Sequence, residues 1–183
     1  MIFSDNFDAN PVGLNSTPAG WTLDAGAVDI VGTGLAANLC TDLGGSPSPA
    51  RCIDMDGSIG AAGTIEHSLT LNPGTYTLSF WASGDDRGDG PDTMNVFIDS
   101  LQLDALTLVS TAPWAQHTYG FTVSGGPVLA PIKFQHMGGD NIGILLDNVV
   151  LQTVDTAVPE PMTMTLLGTG LAAAAIRRRR NNR

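Results

Sequence analysis

Apolar and polar residues alternate in short runs along most of the chain. In the run TYTLSFWAS, residues 75–83, Tyr76, Leu78 and Phe80 share one parity, while threonine, serine and Trp81 share the other. A period of two is typical of a strand that buries one of its faces. The same pattern predicts strands at 2–7, 21–23, 27–31, 52–56, 63–71, 75–83, 93–100, 106–109, 116–123, 131–137 and 143–152.

Glycine, proline, asparagine and aspartate separate these runs, and Asn72-Pro73-Gly74 is a strong turn signal among them. Around ten short strands without a convincing amphipathic helix predict an all-β fold, an antiparallel jelly-roll β-sandwich over residues 1–152. We expect edge strands, and we expect Pro131 to open one of them because proline cannot donate a hydrogen bond to the ladder.

The alternation stops after Gln152, and residues 153–161 form a proline-containing linker. Residues 162–176 follow without a charge, and as a helix they would be about 22 Å long. This length is short for a bilayer, which local thinning and snorkelling arginines can accommodate. We therefore predict one short C-terminal transmembrane helix at 162–176 and a basic cytoplasmic tail at 177–183. A buried core helix is the alternative, but it would place four arginines beside the core.

Charge divides the chain at the same place. Residues 1–157 hold 17 acidic and 3 basic residues, a formal charge of −14, whereas residues 158–183 hold Glu160 and five arginines, a formal charge of +4. The body therefore lacks the basic stripe that nucleic-acid binding requires, and nucleic acid is not an expected partner. An acidic body is compatible with calcium binding or with solubility outside the cell.

Cys40 and Cys52 are separated by the turn-rich segment TDLGGSPSPAR, which could let the chain double back. We predict a disulfide between them, and a loop of this size would contribute about 3 kcal/mol in the chain-entropy model. Two reduced thiols in a cytosolic protein are the alternative, which the export implied by the tail disfavours.

Val158-Pro159-Glu160-Pro161, then a short hydrophobic segment, then Arg177-Arg178-Arg179-Arg180, resembles the three-part PEP-CTERM sorting signal. The resemblance implies export across the inner membrane of a bacterium, a transient anchor there, and processing near the Pro-Glu-Pro motif by an exosortase-type enzyme. It also implies a cell surface or matrix rich in extracellular polysaccharide. Such proteins carry an N-terminal signal peptide, which MIFSDNFDAN does not resemble, so we expect one upstream of Met1. A tail-anchored cytosolic protein is the alternative.

The body is similar to galactose-binding-domain-like jelly rolls, which include carbohydrate-binding modules. The similarity lies in DNF near the start, GWTLDAGAVDIVGTG, CIDMDGSIGAAGTIEHSLTLNPGTYTLSFWASGDDRG and DNIGILLDNVVL. Related domains often hold a structural calcium ion between the first and last strands, which implies Asp8 and Asp147 as ligands here. Asp147 also has the parity of Leu145, Val149 and Leu151, and a carboxylate on an apolar face needs a partner. The alternatives are backbone hydrogen bonds at a sheet corner or an exposed face.

Trp81 lies on the polar face of its predicted strand, where a flat indole suits stacking on a sugar ring. Trp114 could join it from a neighbouring loop, and the loop at 84–92 contributes Asp85 and Asp86. The alternative for Trp81 is packing under a loop or against a neighbouring strand. We predict a solvated hairpin loop at 84–92, which could border the ligand site.

The three histidines, His67, His117 and His136, lie in strand patterns, and no catalytic motif accompanies them. We therefore predict a non-enzymatic, surface- or matrix-associated protein that associates with exopolysaccharide. The alternatives are a carbohydrate-binding, lectin-like module that uses Trp81 and the 84–92 loop, and a polysaccharide hydrolase, which would need two facing carboxylates.

Overall fold

The computed structural model describes residues 1–36, 39–48, 50–88 and 90–154. Within these ranges the strands are β1 (Phe3–Asp5), β2 (Thr22–Ala25), β3 (Asp29–Gly32), β4 (Arg51–Asp54), β5 (Asp56–Gly57), β6 (Ala61–Ala62), β7 (Thr64–His67), β8 (Thr70–Leu71), β9 (Gly74–Ser83), β10 (Asp92–Ile98), β11 (Leu101–Leu108), β12 (Ala115–Val123), β13 (Val128–Leu129), β14 (Ile132–His136) and β15 (Leu145–Thr153). Each predicted run overlaps at least one of these strands.

Two antiparallel sheets face each other. One has the strand order β12-β9-β15-β4-β3, with β1 also paired to β15. The other has the order β11-β10-β14-β7-β2, and two short ladders pair β13 with β8 and β5 with β6. The described residues therefore form the predicted all-β sandwich.

The interior is filled by the side chains that the alternating pattern predicts to be apolar. Tyr76, Leu78 and Phe80 of β9 are buried there, and Phe80 meets Phe134 of β14 edge to face at 5.0 Å between ring centroids. Alternating burial along β10 and β14 completes the layer. Because residues of one parity share one face, the other parity of each strand points away from the core.

Three details differ from the expectations. β14 is an interior strand between β10 and β7, so Pro131 does not open an edge strand. Pro131 can precede an interior strand because the ladder begins one residue later, at Ile132, and the Pro131 carbonyl accepts a bond from the Asp99 amide. Second, β11 reaches back to Leu101, beyond the predicted run at 106–109.

The third difference is that two turn-rich segments connect strands of different sheets. β9 and β10 lie in different sheets, so residues 84–91 are a crossover, and the prediction of a hairpin loop there is wrong. Asn72-Pro73 likewise leads from the short β8–β13 ladder into β9. These crossovers gather residues from both sheets at the two ends of the sandwich.

No helix among the described residues is long and apolar enough to cross a membrane. The predicted linker beyond Val154, the helix at 162–176 and the tail at 177–183 lie outside the described residues.

Candidate functional site

Trp81 projects from the outward face of β9. It pairs across the sheet with Gln116 of β12 on one side and with Asp147 of β15 on the other. Its ring is half-buried, whereas Trp21 and Trp114 are buried. Trp81 is therefore the tryptophan of this chain that keeps part of its ring at the surface.

A small apolar cluster covers one side of Trp81. Cys40 and Cys52 are joined in the predicted disulfide, with 5.7 Å between their Cα atoms, and they pack with Trp114 and Leu145. Leu43 also contacts this cluster, and its carbonyl accepts a bond of 3.2 Å from the Trp114 amide. We call this group the disulfide cluster.

The structure separates the two tryptophans that the sequence proposed for sugar stacking. Trp114 belongs to the disulfide cluster and keeps only 7% of its surface, so it is not an exposed stacking platform. Trp81 packs against the same cluster but stays half-buried. The sequence could not separate them, because the loop that covers Trp114 follows no periodic pattern.

Beside Trp81, the outward side of the six-stranded sheet is lined mostly by short polar side chains. Paired positions on antiparallel strands point to the same side, so the register defines the set. Its members are Thr75, Thr77, Ser79, Gln116, Thr118, Thr122, Val150 and Gln152, of which Ser79 is buried and Val150 is half-buried. We call this set, together with Trp81, the hydroxyl face. Gly120 also lies on it, where an added Cβ would come no closer than 3.9 Å to the Tyr76 carbonyl oxygen, so the surface is low there.

Asp147 lies on this outward side and not among the core residues. The register of β15 against β9 shifts after Asp147, and Asn148 adopts a left-handed φ of 47°. This bulge places an extra residue in the strand, so Val149 and Leu151 face the core although Asp147 opposes Trp81. The prediction that Asp147 shares a face with Val149 and Leu151 is therefore wrong.

Asp147 is nevertheless fully buried, because the loop after Cys40 covers it. Its carboxylate accepts hydrogen bonds from the Ser46 hydroxyl and from the Asn148 amide at 2.6 Å. Burial, with a smaller contribution from the nearby Asp8 and Asp5 carboxylates, raises the pKa of Asp147 to about 7, although the two hydrogen bonds oppose the shift.

Asp8, the second predicted calcium ligand, anchors the same loop. Its carboxylate accepts bonds from the Ser48 hydroxyl, from Asn6 Nδ2 at 2.9 Å and from the Arg51 amide at 3.0 Å. Asp8 is close enough to Asp147 to perturb its pKa. Within the described ranges, no group of three or more His, Cys, Asp or Glu side chains is placed to hold a metal ion. Calcium takes six to eight oxygen ligands, and its binding at Asp8 and Asp147 stays a prediction.

The 84–92 crossover lies at the far end of β9 and carries buried charges. Asp85 is 2% exposed, and its Oδ1 accepts a 2.6 Å bond from the Arg87 amide. Arg87 Nη2 donates to Asp54 Oδ2 at 2.6 Å, and Nη1 donates to the Asn141 carbonyl at 3.2 Å. Because its side chain is buried, Asp85 cannot contact a polysaccharide from solution, whereas Asp86 is exposed.

A second set of titratable side chains lies beside Asp54. His136 is buried, with Nδ1 4.0 Å from Asp56 Oδ2 and Nε2 3.6 Å from Asp92 Oδ1. Asp56 also accepts a 2.9 Å bond from the Asp140 amide. We call this end of the sandwich, built by residues 54–60, 84–92 and 136–143, the charged pole.

Burial raises the pKa of Asp54 to about 7, although the Arg87 guanidinium and the Asp56 amide oppose the shift. Nothing in the sequence pairs Arg87 with Asp54, because 33 positions separate them. The sequence offers one indirect signal, which is that CIDMD places aspartates in a predicted strand. Because β4 is buried, these carboxylates need partners.

The histidines are packing residues of the sandwich. His67 stacks on Phe3 at 3.9 Å between centroids, and its Nδ1 lies 2.7 Å from the Gly20 carbonyl. His117 stacks on Phe80 at 5.6 Å, and burial lowers its pKa. These placements agree with the sheet and core positions predicted from the sequence.

The outward face of the five-stranded sheet is a second polar surface. Lys133 Nζ lies 5.3 Å from the centre of the Phe97 ring and so covers this half-buried aromatic residue. Gln102 Nε2 donates to Asn95 Oδ1 at 3.0 Å on the same face. Its single aromatic ring carries a charged group above it, which makes it a weaker stacking platform than Trp81.

Comparisons with known proteins give matches for the C-terminal segment and for the body of the chain. Residues 157–180 match the model of the PEP-CTERM protein-sorting motif, PEP_exosort_dom. The match includes Val158–Pro161 and Arg177–Arg180, as predicted. No curated protein sequence matches the chain.

Solved structures resemble the body in fold. The CBM22-1 xylan-binding domain of Paenibacillus barcinonensis Xyn10C has a TM-score of 0.55 at 16% identity, over 85% of this chain and 95% of that one. The K1 cleaved adhesin domain of Lys-gingipain from Porphyromonas gingivalis W83 has a TM-score of 0.58 at 16% identity, over 84% and 99%. The chain thus carries a PEP-CTERM protein-sorting motif behind a β-sandwich with the fold of carbohydrate-binding modules.

Proposed function

We propose that this protein is an exported, exosortase-processed, non-enzymatic surface protein whose sandwich binds extracellular polysaccharide on the hydroxyl face. The observation that carries the proposal is the position of Trp81, a half-exposed indole at the end of a row of outward hydroxyl and amide groups. The sorting motif supports the destination, and the fold shared with a xylan-binding domain supports the ligand class.

The chemistry of the face suits a polysaccharide chain. An indole presents a flat apolar surface to the C–H groups of a pyranose ring, while hydroxyl and amide groups exchange hydrogen bonds with sugar hydroxyls. Gln116 lies directly across from Trp81, and Thr118 is exposed in the next row. The low surface at Gly120 lets an extended chain lie along the strands.

The non-enzymatic part of the proposal rests on the state of the carboxylates near these surfaces. Asp147 faces Trp81 but is buried under Ser46, and Asp54 is ion-paired with Arg87. A glycosidase needs two carboxylates that reach a glycosidic bond from opposite sides, and neither of these carboxylates is open to solvent.

The binding proposal is tested with Gln116→Ala and Trp81→Ala. Gln116 is exposed, so Gln116→Ala should weaken binding several-fold with little change in stability. Trp81→Ala should abolish detectable binding. Retention on polysaccharide from the native host, in affinity electrophoresis or calorimetry, measures both.

Phe97→Ala on the opposite sheet is the matched control and should bind normally. Loss of binding in Phe97→Ala with normal binding in Gln116→Ala would place the ligand on the other face. Absence of binding by the unaltered protein to every polysaccharide tested would leave a structural matrix role and contradict the proposal.

Calcium at Asp8 and Asp147 remains a proposal of its own. If the ion binds there, it relieves the repulsion between the two carboxylates, so calcium should raise the unfolding temperature of the unaltered protein. The double variant Asp8→Ala/Asp147→Ala should lose this response. An unfolding temperature that is the same in calcium and in chelator would show that hydrogen bonds to Ser46, Ser48 and the backbone are the whole function of these residues.

A further inference from the structure

The chain leaves the sandwich at the end opposite the charged pole. The Val154 amide donates to the Thr75 carbonyl at 2.8 Å, and Thr153 pairs with Tyr76 at the start of β9. We call this end the exit pole; it is built by residues 1–2, 68–76, 99–101, 123–131 and 151–154, which are linked by the ladders of β8 with β13 and of β9 with β12 and β15.

The exit pole contains an open groove of about 460 Å³, lined by Ile2, residues 70–76, Thr153 and Val154. Exposed apolar side chains surround it. Ile2 and Val154 are exposed in its wall, and Leu129, which pairs with Thr70, is 64% exposed. Exposed apolar residues that gather at one place indicate an interaction surface.

Charge is distributed unequally between the two poles. Asp99 is the one charged side chain among the described residues that build the exit pole. The described part of the charged pole contains six aspartates and Arg87. A body with a formal charge of −14 is repelled by an anionic surface. The exit pole is the part of the body that can approach such a surface at the smallest electrostatic cost.

The sequence limits how far the exit pole can lie from the sorting segment. Eight residue steps separate Val154 from Met162, the first residue of the apolar segment, and they span at most about 29 Å. The ten residues of β9 extend about 33 Å from one pole to the other. A tether shorter than the sandwich gives the exit pole a high effective concentration at the membrane. Weak apolar contacts are then enough to hold the exit pole there.

We propose that the exit pole docks on the lipid surface of the membrane into which residues 162–176 insert. Its exposed apolar side chains, Ile2, Leu129 and Val154, would lie in the headgroup region. The proposal depends on the proposed function for the insertion of the sorting segment. In this orientation the charged pole points away from the membrane, and the hydroxyl face stands on the side of the molecule, open to polysaccharide. The docked state is the one that the processing enzyme would encounter.

The test compares two exposed apolar positions with the same accessibility. Leu129 at the exit pole and Ile59 at the charged pole are both 64% exposed. Leu129→Cys and Ile59→Cys are labelled with an environment-sensitive fluorophore under non-reducing conditions, which keep the Cys40–Cys52 disulfide intact. The full chain is reconstituted into phosphatidylcholine–phosphatidylglycerol vesicles that contain a nitroxide-quencher lipid. We expect several-fold stronger quenching at position 129 than at position 59.

Equal quenching at the two positions, in protein that floats with the vesicles, would overturn docking while leaving the inserted tail in place. Protein that does not float would overturn both docking and the anchoring part of the proposed function. A change in the label's emission at position 129 that appears only with added exosortase, without quenching by the lipid nitroxide, would identify the enzyme, and not lipid, as the occupant. With a label at Ser124→Cys, Leu129→Asp should reduce the quenching, and Ile59→Asp should leave it unchanged.

Discussion

Asp54 is one of two buried aspartates, with Asp147, whose raised pKa makes the stability of the fold depend on pH. Its pKa in the folded protein is about 7, above the ordinary value of 3.8, because burial disfavours the carboxylate more than Arg87 favours it. Asp29 also repels it, and Arg87 has a second acidic neighbour in Asp85. Between pH 4 and 7 the folded state therefore holds more protons at this site than the unfolded state.

The contribution of Asp54 to the free energy of unfolding is consequently higher near pH 4 to 5. It falls as the pH rises to 7, and above that pH it is lost completely. Asp54→Asn should make the free energy of unfolding less dependent on pH in this window, measured by urea unfolding at several pH values. Asp86→Asn, an exposed neighbour, should keep the dependence of the unaltered protein. A pH dependence that is unchanged in Asp54→Asn would show that Asp54 is ionised throughout.

At the scale of elements, the β3–β4 connection is the segment that decides the form of the hydroxyl face. It carries Cys40, Leu43 and Ser46 over the outward side of β9 and β15, where they cover Trp114 and Asp147. Its attachments include the disulfide, the Ser46–Asp147 bond and the bonds to Asp8. The part of the indole of Trp81 that stays exposed depends on where this connection lies.

The double variant Cys40→Ala/Cys52→Ala should lower the free energy of unfolding by about 3 kcal/mol, because the loop gains freedom in the unfolded state. It should also shift the fluorescence of Trp81 and Trp114 to longer wavelengths, since water reaches the disulfide cluster. Chemical unfolding followed by tryptophan emission measures both effects. Reductant should produce the same changes in the unaltered protein and none in the double variant.

The elements also show where sequence patterns stop being informative. Alternation located the strands of both sheets, because it reflects burial of one face. It failed at Asp147, where one left-handed residue, Asn148, reverses the parity that follows. It also failed for the 84–92 segment, because turn residues mark the end of a strand without telling which sheet the chain enters next. Asp54 with Arg87 and Asp8 with Arg51 are long-range pairs that only the folded topology brings together.

At the scale of the whole molecule, an acidic body is joined to a basic sorting segment, and the two require different tests. Pro159→Ala/Glu160→Ala changes the matched motif and leaves every described residue in place. We expect the variant to accumulate unprocessed in the membrane fraction of a host that contains an exosortase, with the larger mass visible on a blot. Thr156→Ala, which changes the residue just before the matched motif, is the control and should be processed normally. Normal processing of the double variant would contradict the proposed sorting step.

The position of β15 in its sheet has a mechanical consequence. β15 leads to the sorting segment and is bonded on one side to β9, which carries Trp81, through most of its length. A polysaccharide held on the hydroxyl face and a cell surface attached beyond Val154 would therefore pull on neighbouring strands along their axes. Force along the strands loads many ladder hydrogen bonds at once, so this arrangement resists shear flow better than one in which bonds open singly.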